Sequence, residues 1–341
     1  MKTSIALFQM SSVLGDFEGN KNKILSFCLS HKDCDIVVTP ELSLCGYPPE
    51  DLIFHKSFIL SCFETAQQLV ESSKEFPNIH LLVGLPVQEG EKIFNEAFLI
   101  KNGQLLGRYK KRNLPNYGVF DERRYFTAGK NSEPLVFDVK GTRFGVNICE
   151  DIWHAEAPEL AKKAGSEVLL ILNASPFEKY KRQQRIECVE KNVCAQGMDA
   201  VYVNACGAQD EIIFDGFSFT RTKDGKGREM SGFEAASMLA EAEHGELLEA
   251  SSFEISQGIA DLYSGLVLSF KSYIENNSFK GVVLGLSGGI DSALVLKIAV
   301  DAVGADKVEA VMMPSQFTSD MSKTDAAELA SRLGVKYSVI S

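Results

Sequence analysis

The sequence predicts a layered α/β fold built on a mixed sheet, followed by a second α/β unit. Short apolar, β-branched runs alternate with amphipathic helical segments along about the first 200 residues. Turn sequences at 101–104 (KNGQ) and 223–227 (KDGKG) indicate hairpins between neighbouring strands, so parallel and antiparallel pairs should share a sheet. A new strand–turn–helix pattern begins near Gly281, and a chain of 341 residues is long enough for two units.

The strands expected in the first unit include seven apolar runs, and four helices lie between them. The predicted strands are 4–8, 35–39, 80–85, 97–100, 142–148, 168–172 and 200–204. The predicted helices are 21–30, 58–74, 158–164 and 179–196. Residues 230–256 are rich in Ala, Glu, Leu and Met, and this composition predicts a helical connecting region without strands.

Composition and charge exclude several classes of protein. A net charge of −11 argues against general binding to nucleic acid or to an anionic membrane. The N-terminus lacks a secretory signal, and no run reaches the ~20 apolar residues that span a bilayer. Eight scattered cysteines without a Cys-x-x-Cys motif favour reduced thiols in the cytoplasm. The spacing of Cys28, His31 and Cys34 is faintly metal-like, but a helix face explains it better.

Chemically useful side chains follow three of the predicted strands. Glu41 comes just after the strand 35–39, Lys110 and Lys111 follow a short strand before a proline-containing turn, and Cys149 ends the run FGVNIC. A cysteine nucleophile needs a base and a group that stabilises negative charge. Because the five histidines are few and scattered, a carboxylate and a lysine are the alternative partners.

These three segments resemble the nitrilase, or carbon–nitrogen hydrolase, superfamily. The resemblance lies in a Pro-Glu after one strand, a Lys before an x-x-Leu-Pro turn and a Cys-Glu-Asp after a third strand. It implies a four-layer αββα sandwich with Glu41 as general base, Lys111 as the cation beside the oxyanion and Cys149 as nucleophile. Lys111 is preferred to Lys110 because of its register relative to the Leu-Pro turn.

A second motif, SGGIDSA at 287–293, lies between a buried strand and a helix expected to begin near Ser292. Gly288 and Gly289 let backbone amides approach an anion, and Ser287 and Ser292 add hydroxyl donors. Asp291 is a candidate Mg²⁺ ligand, because magnesium takes carboxylate and phosphate oxygens. The Walker A ending is missing, and a plain glycine turn is the alternative. The motif resembles the pyrophosphate-binding loop of the ATP pyrophosphatase superfamily, which implies the start of a Rossmann-like domain.

Together the two halves resemble the glutamine-dependent NAD synthetase family. The phrases PELSLCGYPPEDL, LPNYGVFDERRYF and MMPSQFTSDMSKTDA carry the resemblance. It implies a glutaminase, needing no cofactor, that supplies ammonia for the amidation of nicotinic acid adenine dinucleotide to NAD with ATP and Mg²⁺. It also implies a homo-oligomer, a second carboxylate, Glu122, that orients Lys111 or the glutamine substrate, and contacts from Tyr117 and Ser175 to glutamine. A plain structural role for each of those three residues stays open.

The expected domains are a glutaminase domain at 1–250, a connecting helical region at 251–280 and the N-terminal part of a synthetase domain at 281–341. The last is expected to be incomplete, because such a domain needs on the order of 200 residues. Two alternatives stay open, a stand-alone amidase with an unrelated appendage and a non-catalytic relic of the same fold. Cys45 is expected to line the site, whereas Cys188 and Cys194 should pack on a helix.

Overall fold

A computed structural model describes residues 1–255 and 258–340 as two compact units. One unit holds residues 1–207 with 214–255, and the other holds 208–213 with 258–340. Of the region 251–280, residues 251–255 fall in the first unit, and residues 258–280, which contain a helix at Ile259–Asn276, fall in the second. Positions 256, 257 and 341 of the predicted domain ranges lie outside the described residues.

The elements of the chain alternate between strands and helices. In chain order they are β1 (Thr3–Gln9), α1 (Phe17–Ser30), β2 (Ile36–Val38), α2 (Lys56–Ser72), β3 (His80–Glu89), β4 (Lys92–Lys101), β5 (Gln104–Lys110), α3 (Glu122–Tyr125), β6 (Val136–Val139), β7 (Thr142–Ile148), α4 (Glu156–Lys163), β8 (Val168–Asn173), α5 (Lys181–Asn192), β9 (Asp199–Asn204), β10 (Cys206–Gln209), β11 (Ile212–Asp215), β12 (Phe219–Arg221), β13 (Ala236–Glu243), β14 (Glu246–Leu247), α6 (Ile259–Asn276), β15 (Val282–Gly285), α7 (Ile290–Val303), β16 (Val308–Met312), α8 (Asp320–Leu333) and β17 (Lys336–Val339). Among these described helices none is long and apolar enough to cross a membrane.

Two mixed sheets form the centre of the first unit. Within the described residues their strand orders are β14-β13-β1-β2-β3-β4-β5 and β12-β9-β8-β7-β6. Strands β1, β2 and β3 are parallel, as are β7, β8 and β9, whereas the flanking strands run antiparallel. One apolar cluster joins the inner faces of both sheets, with Ile5 and Leu7 from one and Val146 and Leu170 from the other. The two sheets therefore pack face to face.

Helices cover the outer faces of both sheets. The Phe8 ring of β1 stacks on Phe27 of α1, with ring centroids 4.0 Å apart. On the other sheet, Leu169 of β8 packs in an apolar cluster with Ala161 of α4 and Val189 of α5. The order helix, sheet, sheet, helix confirms the predicted αββα sandwich, and it follows from strands that are apolar on both faces.

The prediction of a strand-free helical segment at 230–256 is wrong. Strand β13 pairs antiparallel with β1, and β14 then pairs with β13. Along β13, Ala240 and Ala242 are buried while Leu239 and Glu241 point outward, which is the two-residue period of a strand. The edge of β1 offers a partner for backbone hydrogen bonds, and this pairing overrides the helical propensity of Ala, Leu and Glu.

The second unit contains a parallel three-stranded sheet in the order β15-β16-β17. Helices α7 and α8 connect these strands, as the sequence predicts for repeated βα units. Their apolar sides pack on the sheet through Leu296, Ala299 and Ala326 against Ala310 and Met312. The glycine-rich motif thus lies between β15 and α7, at the carboxyl end of a parallel strand.

Candidate active site

The structure brings together the three residues predicted at strand ends. Lys111 directly follows β5, and its Nζ lies 2.6 Å from Oε1 of Glu41, which follows β2. Cys149 directly follows β7 in the facing sheet, and the charges of Glu41 and Lys111 both act on its thiol. The three residues are only 2%, 1% and 4% exposed, in the order Glu41, Lys111, Cys149. The site is therefore a buried cluster between the two sheets.

Both carboxylate oxygens of Glu41 accept hydrogen bonds. Oε1 accepts from Lys111 Nζ and from Asn95 Nδ2 at 2.7 Å, and Oε2 accepts from the backbone N–H of Ala174 at 3.1 Å. These donors fix the carboxylate in one orientation. Sequence reasoning missed Asn95, although its signal is visible as a buried polar residue beside Glu96 in the apolar centre of β4.

A second carboxylate completes the ion cluster. Both oxygens of Glu122 lie 2.8 Å from Lys111 Nζ, and the hydroxyl of Tyr47 donates to Oε1 of Glu122 at 2.7 Å. Burial raises the pKa of Glu122 to about 7, although the Lys111 charge opposes the rise. Burial alone would lower the pKa of Lys111, but the charges of Glu122 and Glu41 raise it well above its ordinary value. Lys111 is thus a cation at neutral pH.

The backbone turns sharply at the candidate nucleophile. Cys149 has φ of 43° and opens a short 3₁₀ turn, Cys149–Trp153, at the end of β7. A left-handed conformation is costly for a residue with a side chain and is often found at functional sites. Burial, followed by the Glu41 charge, raises the pKa of the Cys149 thiol well above its ordinary value. The resting thiol is therefore protonated and needs a base when it reacts.

Tyr117 borders a cavity beside this turn. The cavity has a volume of about 590 Å³ and is lined by polar and cationic side chains that include Arg112, Arg123, Lys130 and His154. The Tyr117 hydroxyl donates to Oε2 of Glu150 at 2.9 Å, and Glu150 directly follows the nucleophile. This size suits a small-molecule ligand.

Ser175 is buried in the loop after β8. Its Oγ accepts from Nε of Arg185 at 2.9 Å, and its backbone N–H donates to Oδ1 of Asn204 at 2.9 Å. The preceding residue, Ala174, donates to Glu41. The structure thus places Ser175 next to the cluster and gives its hydroxyl a structural partner.

Cys45, Cys188 and Cys194 are all buried. Cys45 is buried in the loop after Glu41, where its Sγ donates to the carbonyl of Gly46 at 3.2 Å. Cys188 lies on α5 in the outer core, and Cys194 follows that helix in the same cluster. All three contribute packing at these positions.

In the second unit the loop 287–292 has the geometry of an anion cradle. Helix α7 begins at Ile290 and is capped by Gly289, so it begins two residues before the position expected from sequence. Gly288 has φ of 83°, and a Cβ there would lie 2.2 Å from the carbonyl oxygen of Ser322. The hydroxyls of Ser287 and Ser292 lie 2.9 Å apart and are exposed or half-buried at the helix N-terminus. These groups fit a phosphate.

Asp291 is exposed in the first turn of α7. Within residues 1–255 and 258–340, no group of three or more His, Cys, Asp or Glu side chains is arranged to hold a metal ion. A single carboxylate still fits magnesium bound together with nucleotide phosphates, because Mg²⁺ usually takes one or two carboxylates and keeps water or phosphate ligands.

Comparison with known proteins supplies family models for both units. The carbon–nitrogen hydrolase model matches residues 4–226, and the NAD synthase model matches residues 262–341. A glutamine-dependent NAD(+) synthetase of Acinetobacter baylyi is 40% identical over 98% of this chain, and one of Aquifex aeolicus is 37% identical over 99%. The chain spans 62% and 65% of the length of these two curated relatives.

Solved structures agree with this fold. Glutamine-dependent NAD+ synthetase from Acinetobacter baumannii, solved with ADP, superposes with a TM-score of 0.92 at 38% identity, covering 99% of this chain and 64% of that one. An amidase from Nesterenkonia superposes with a TM-score of 0.62 at 23% identity over 71% of this chain and 90% of its own, which shows a shared fold. With a family model matched from residue 4 to residue 226, this chain belongs to the carbon–nitrogen hydrolase family.

Proposed function

We propose that the first unit hydrolyses the side-chain amide of glutamine to release ammonia. The observation that carries this proposal is the buried cation Lys111. It bridges the carboxylates of Glu41 and Glu122, and its charge lowers the pKa of the Cys149 thiol against the opposing effects of burial and of Glu41. A base, a cation and a thiol held together out of water are the groups that acyl transfer from an amide requires.

The chemistry follows from these positions. As Cys149 Sγ attacks the amide carbon, Glu41 takes the thiol proton, and Lys111 stabilises the negative charge that develops on the amide oxygen. Glu41 then gives the proton to the leaving nitrogen, the C–N bond breaks and ammonia departs. Water, activated by Glu41, hydrolyses the remaining thioester and frees Cys149. Glu122 holds Lys111 in place throughout, because both of its oxygens contact Nζ.

We assign substrate contacts to Tyr117 and Ser175. Tyr117 borders the cavity beside the nucleophile, and Ser175 follows the residue whose N–H binds Glu41.

We further propose that the complete protein is a glutamine-dependent NAD synthetase that uses ammonia, ATP and Mg²⁺ to amidate nicotinic acid adenine dinucleotide. The names of the relatives, the NAD synthase model over residues 262–341 and the ADP in the similar solved structure support this. The loop from Ser287 to Ser292, with Gly288, Gly289 and Asp291, would hold the ATP phosphates and Mg²⁺. ATP would supply the energy to activate the carboxylate. The homo-oligomer and the cytoplasmic location stay predictions, the latter supported by eight free cysteines.

Covalent trapping tests the glutaminase proposal. A glutamine-analogue diazoketone should add to Cys149, glutamine should slow the addition, and peptide mass spectrometry should locate the adduct. Cys188 and Cys206 provide internal references, because both are buried thiols outside the cluster. An adduct confined to those cysteines would contradict Cys149 as the nucleophile. Faster turnover of simple aliphatic amides than of glutamine would favour the amidase alternative instead.

A further inference from the structure

The carboxylate of Asp151 is a buried hub two residues after the nucleophile. Its Oδ2 accepts from the Ile148 N–H at 3.1 Å and from the Tyr109 hydroxyl at 2.8 Å. Its Oδ1 accepts from the N–H groups of Arg112 at 2.9 Å and Asn113 at 2.8 Å. The side chain is fully buried, so each oxygen is surrounded by two protein donors.

These donors flank the two reactive residues of the site. Ile148 directly precedes Cys149, and the bond from its N–H to Asp151 closes the turn in which Cys149 has a left-handed backbone. Arg112 and Asn113 directly follow Lys111, and their N–H groups bind the other oxygen. One carboxylate therefore ties the turn of the nucleophile in one sheet to the segment of the cation in the other.

We propose that Asp151 is a positioning residue that sets the placement of Cys149 relative to Lys111 during catalysis. The inference rests on the proposed glutaminase reaction. Without Asp151 the turn after β7 and the segment after β5 lose the backbone hydrogen bonds that hold both to one carboxylate, and a misplacement of about 1 Å can cost about 100-fold in rate.

The role requires a carboxylate. All four neighbours are donors, so both oxygens of Asp151 must accept. An asparagine has one acceptor oxygen, so its NH₂ group would face either the N–H groups of Arg112 and Asn113 or the N–H of Ile148 beside the Tyr109 hydroxyl. In both orientations at least one backbone N–H loses its acceptor. Burial raises the pKa of Asp151 to about 6, and the four donors hold it in the ionised form above that pH.

The test compares Asp151→Asn with Asp199→Asn. Asp199 offers a matched control, because its buried carboxylate also accepts two backbone N–H groups, from Lys223 at 2.8 Å and Leu247 at 2.6 Å, outside the active cluster. Asp151→Asn should lower kcat for glutamine by about 100-fold with little change in KM, while Asp199→Asn leaves kcat within about threefold. Equal losses in the two variants, or an unchanged kcat in folded Asp151→Asn, would overturn the proposal.

Two further measurements keep the proposal testable. If Asp151→Asn does not fold, Tyr109→Phe removes one of the four donors to Asp151 together with the hydroxyl that accepts from Asn147, and it should lower kcat by about three- to tenfold at constant KM; an unchanged kcat counts against the proposal. Alkylation of Cys149 by iodoacetamide, followed by peptide mass spectrometry, needs no glutamine. A slower rate in Asp151→Asn than in Asp199→Asn supports the positioning role even if glutamine is not the substrate, and equal rates contradict it.

Discussion

Replacing Lys111 by Met should destabilise the first unit as well as abolish its chemistry. Nζ of Lys111 lies 2.6 Å from Glu41 and 2.8 Å from both oxygens of Glu122, and all three side chains are almost completely buried. Met keeps the length of the side chain but removes the charge, so two buried carboxylates lose their shared cation. Lys110→Met is the matched control, because Lys110 pairs with the exposed Glu89.

Removing one partner of a buried ion pair costs about 3–5 kcal/mol, whereas an exposed pair contributes about 0–1 kcal/mol. For a unit of this size, 1 kcal/mol corresponds to a change in Tm of about 2–4 °C. Lys111→Met should therefore lower the Tm by about 6–20 °C, and Lys110→Met by no more than about 4 °C. The loss should be larger at higher pH. Without the Lys111 charge the pKa of Glu122 rises above about 7. A carboxyl group whose pKa is higher in the folded than in the unfolded state makes folding less favourable as the pH rises toward the folded-state pKa.

Thermal unfolding followed by circular dichroism at about pH 6 and pH 8 measures both effects, and ammonia release measures activity. Lys110→Met should retain glutamine hydrolysis, whereas Lys111→Met should lose it. The comparison therefore shows which of the two adjacent lysines is the catalytic cation. Equal Tm values for the two variants at pH 8 would refute the ion cluster. Loss of activity in Lys110→Met together with retained activity in Lys111→Met would refute the assignment of Lys111.

Two other substitutions test the remaining roles. Glu41→Gln keeps the size of the side chain but cannot take a proton, so kcat should fall by about 10²–10⁴-fold. The control is Glu96→Gln, which changes a buried carboxylate of β4 that pairs with Arg108 and should leave kcat near wild type. A fall of only two- or threefold in Glu41→Gln would assign the base elsewhere. Gly288→Ala forces a Cβ to within 2.2 Å of the Ser322 carbonyl oxygen at φ of 83°, and should destabilise the second unit by about 1–3 kcal/mol in urea unfolding. Gly289 has φ of −90°, and a Cβ there would have its nearest neighbour at 3.4 Å, so Gly289→Ala should be tolerated. Equal stability of the two variants would contradict the close approach of Gly288 to the Ser322 carbonyl.

Strands β2 and β7, which precede Glu41 and Cys149, are almost entirely buried and can be predicted from their apolar runs. Strand β5, which precedes Lys111, is mostly exposed and is indicated only by the turns on either side of it. Strand β7 has the bounds expected from its pattern, and Cys149 follows it directly. Glu41 and Lys111 were found from their positions after other strands. The spatial meeting of Lys111 with Glu41 followed only from the family resemblance, because the two residues come from different strands of one sheet and no local pattern gives their distance.

Other parts of the site depend on long-range contacts that no local pattern reveals. Asn95, Tyr47 and Asp151 bind the reactive groups through partners distant in sequence. Strand β13 is composed of good helix formers, and only its pairing with β1 makes it a strand. Tertiary hydrogen bonding therefore decided each of these features.

Ammonia release from glutamine, measured for this chain and for its Cys149→Ala variant, tests whether the first unit hydrolyses glutamine with Cys149 as nucleophile. Alanine removes only the sulfur at a buried position, so circular dichroism should show an unchanged fold. We expect the wild-type chain to produce glutamate and ammonia steadily and the Cys149→Ala variant to produce none above background. Glutamine hydrolysis by the folded Cys149→Ala variant at a rate near that of the wild type would contradict it.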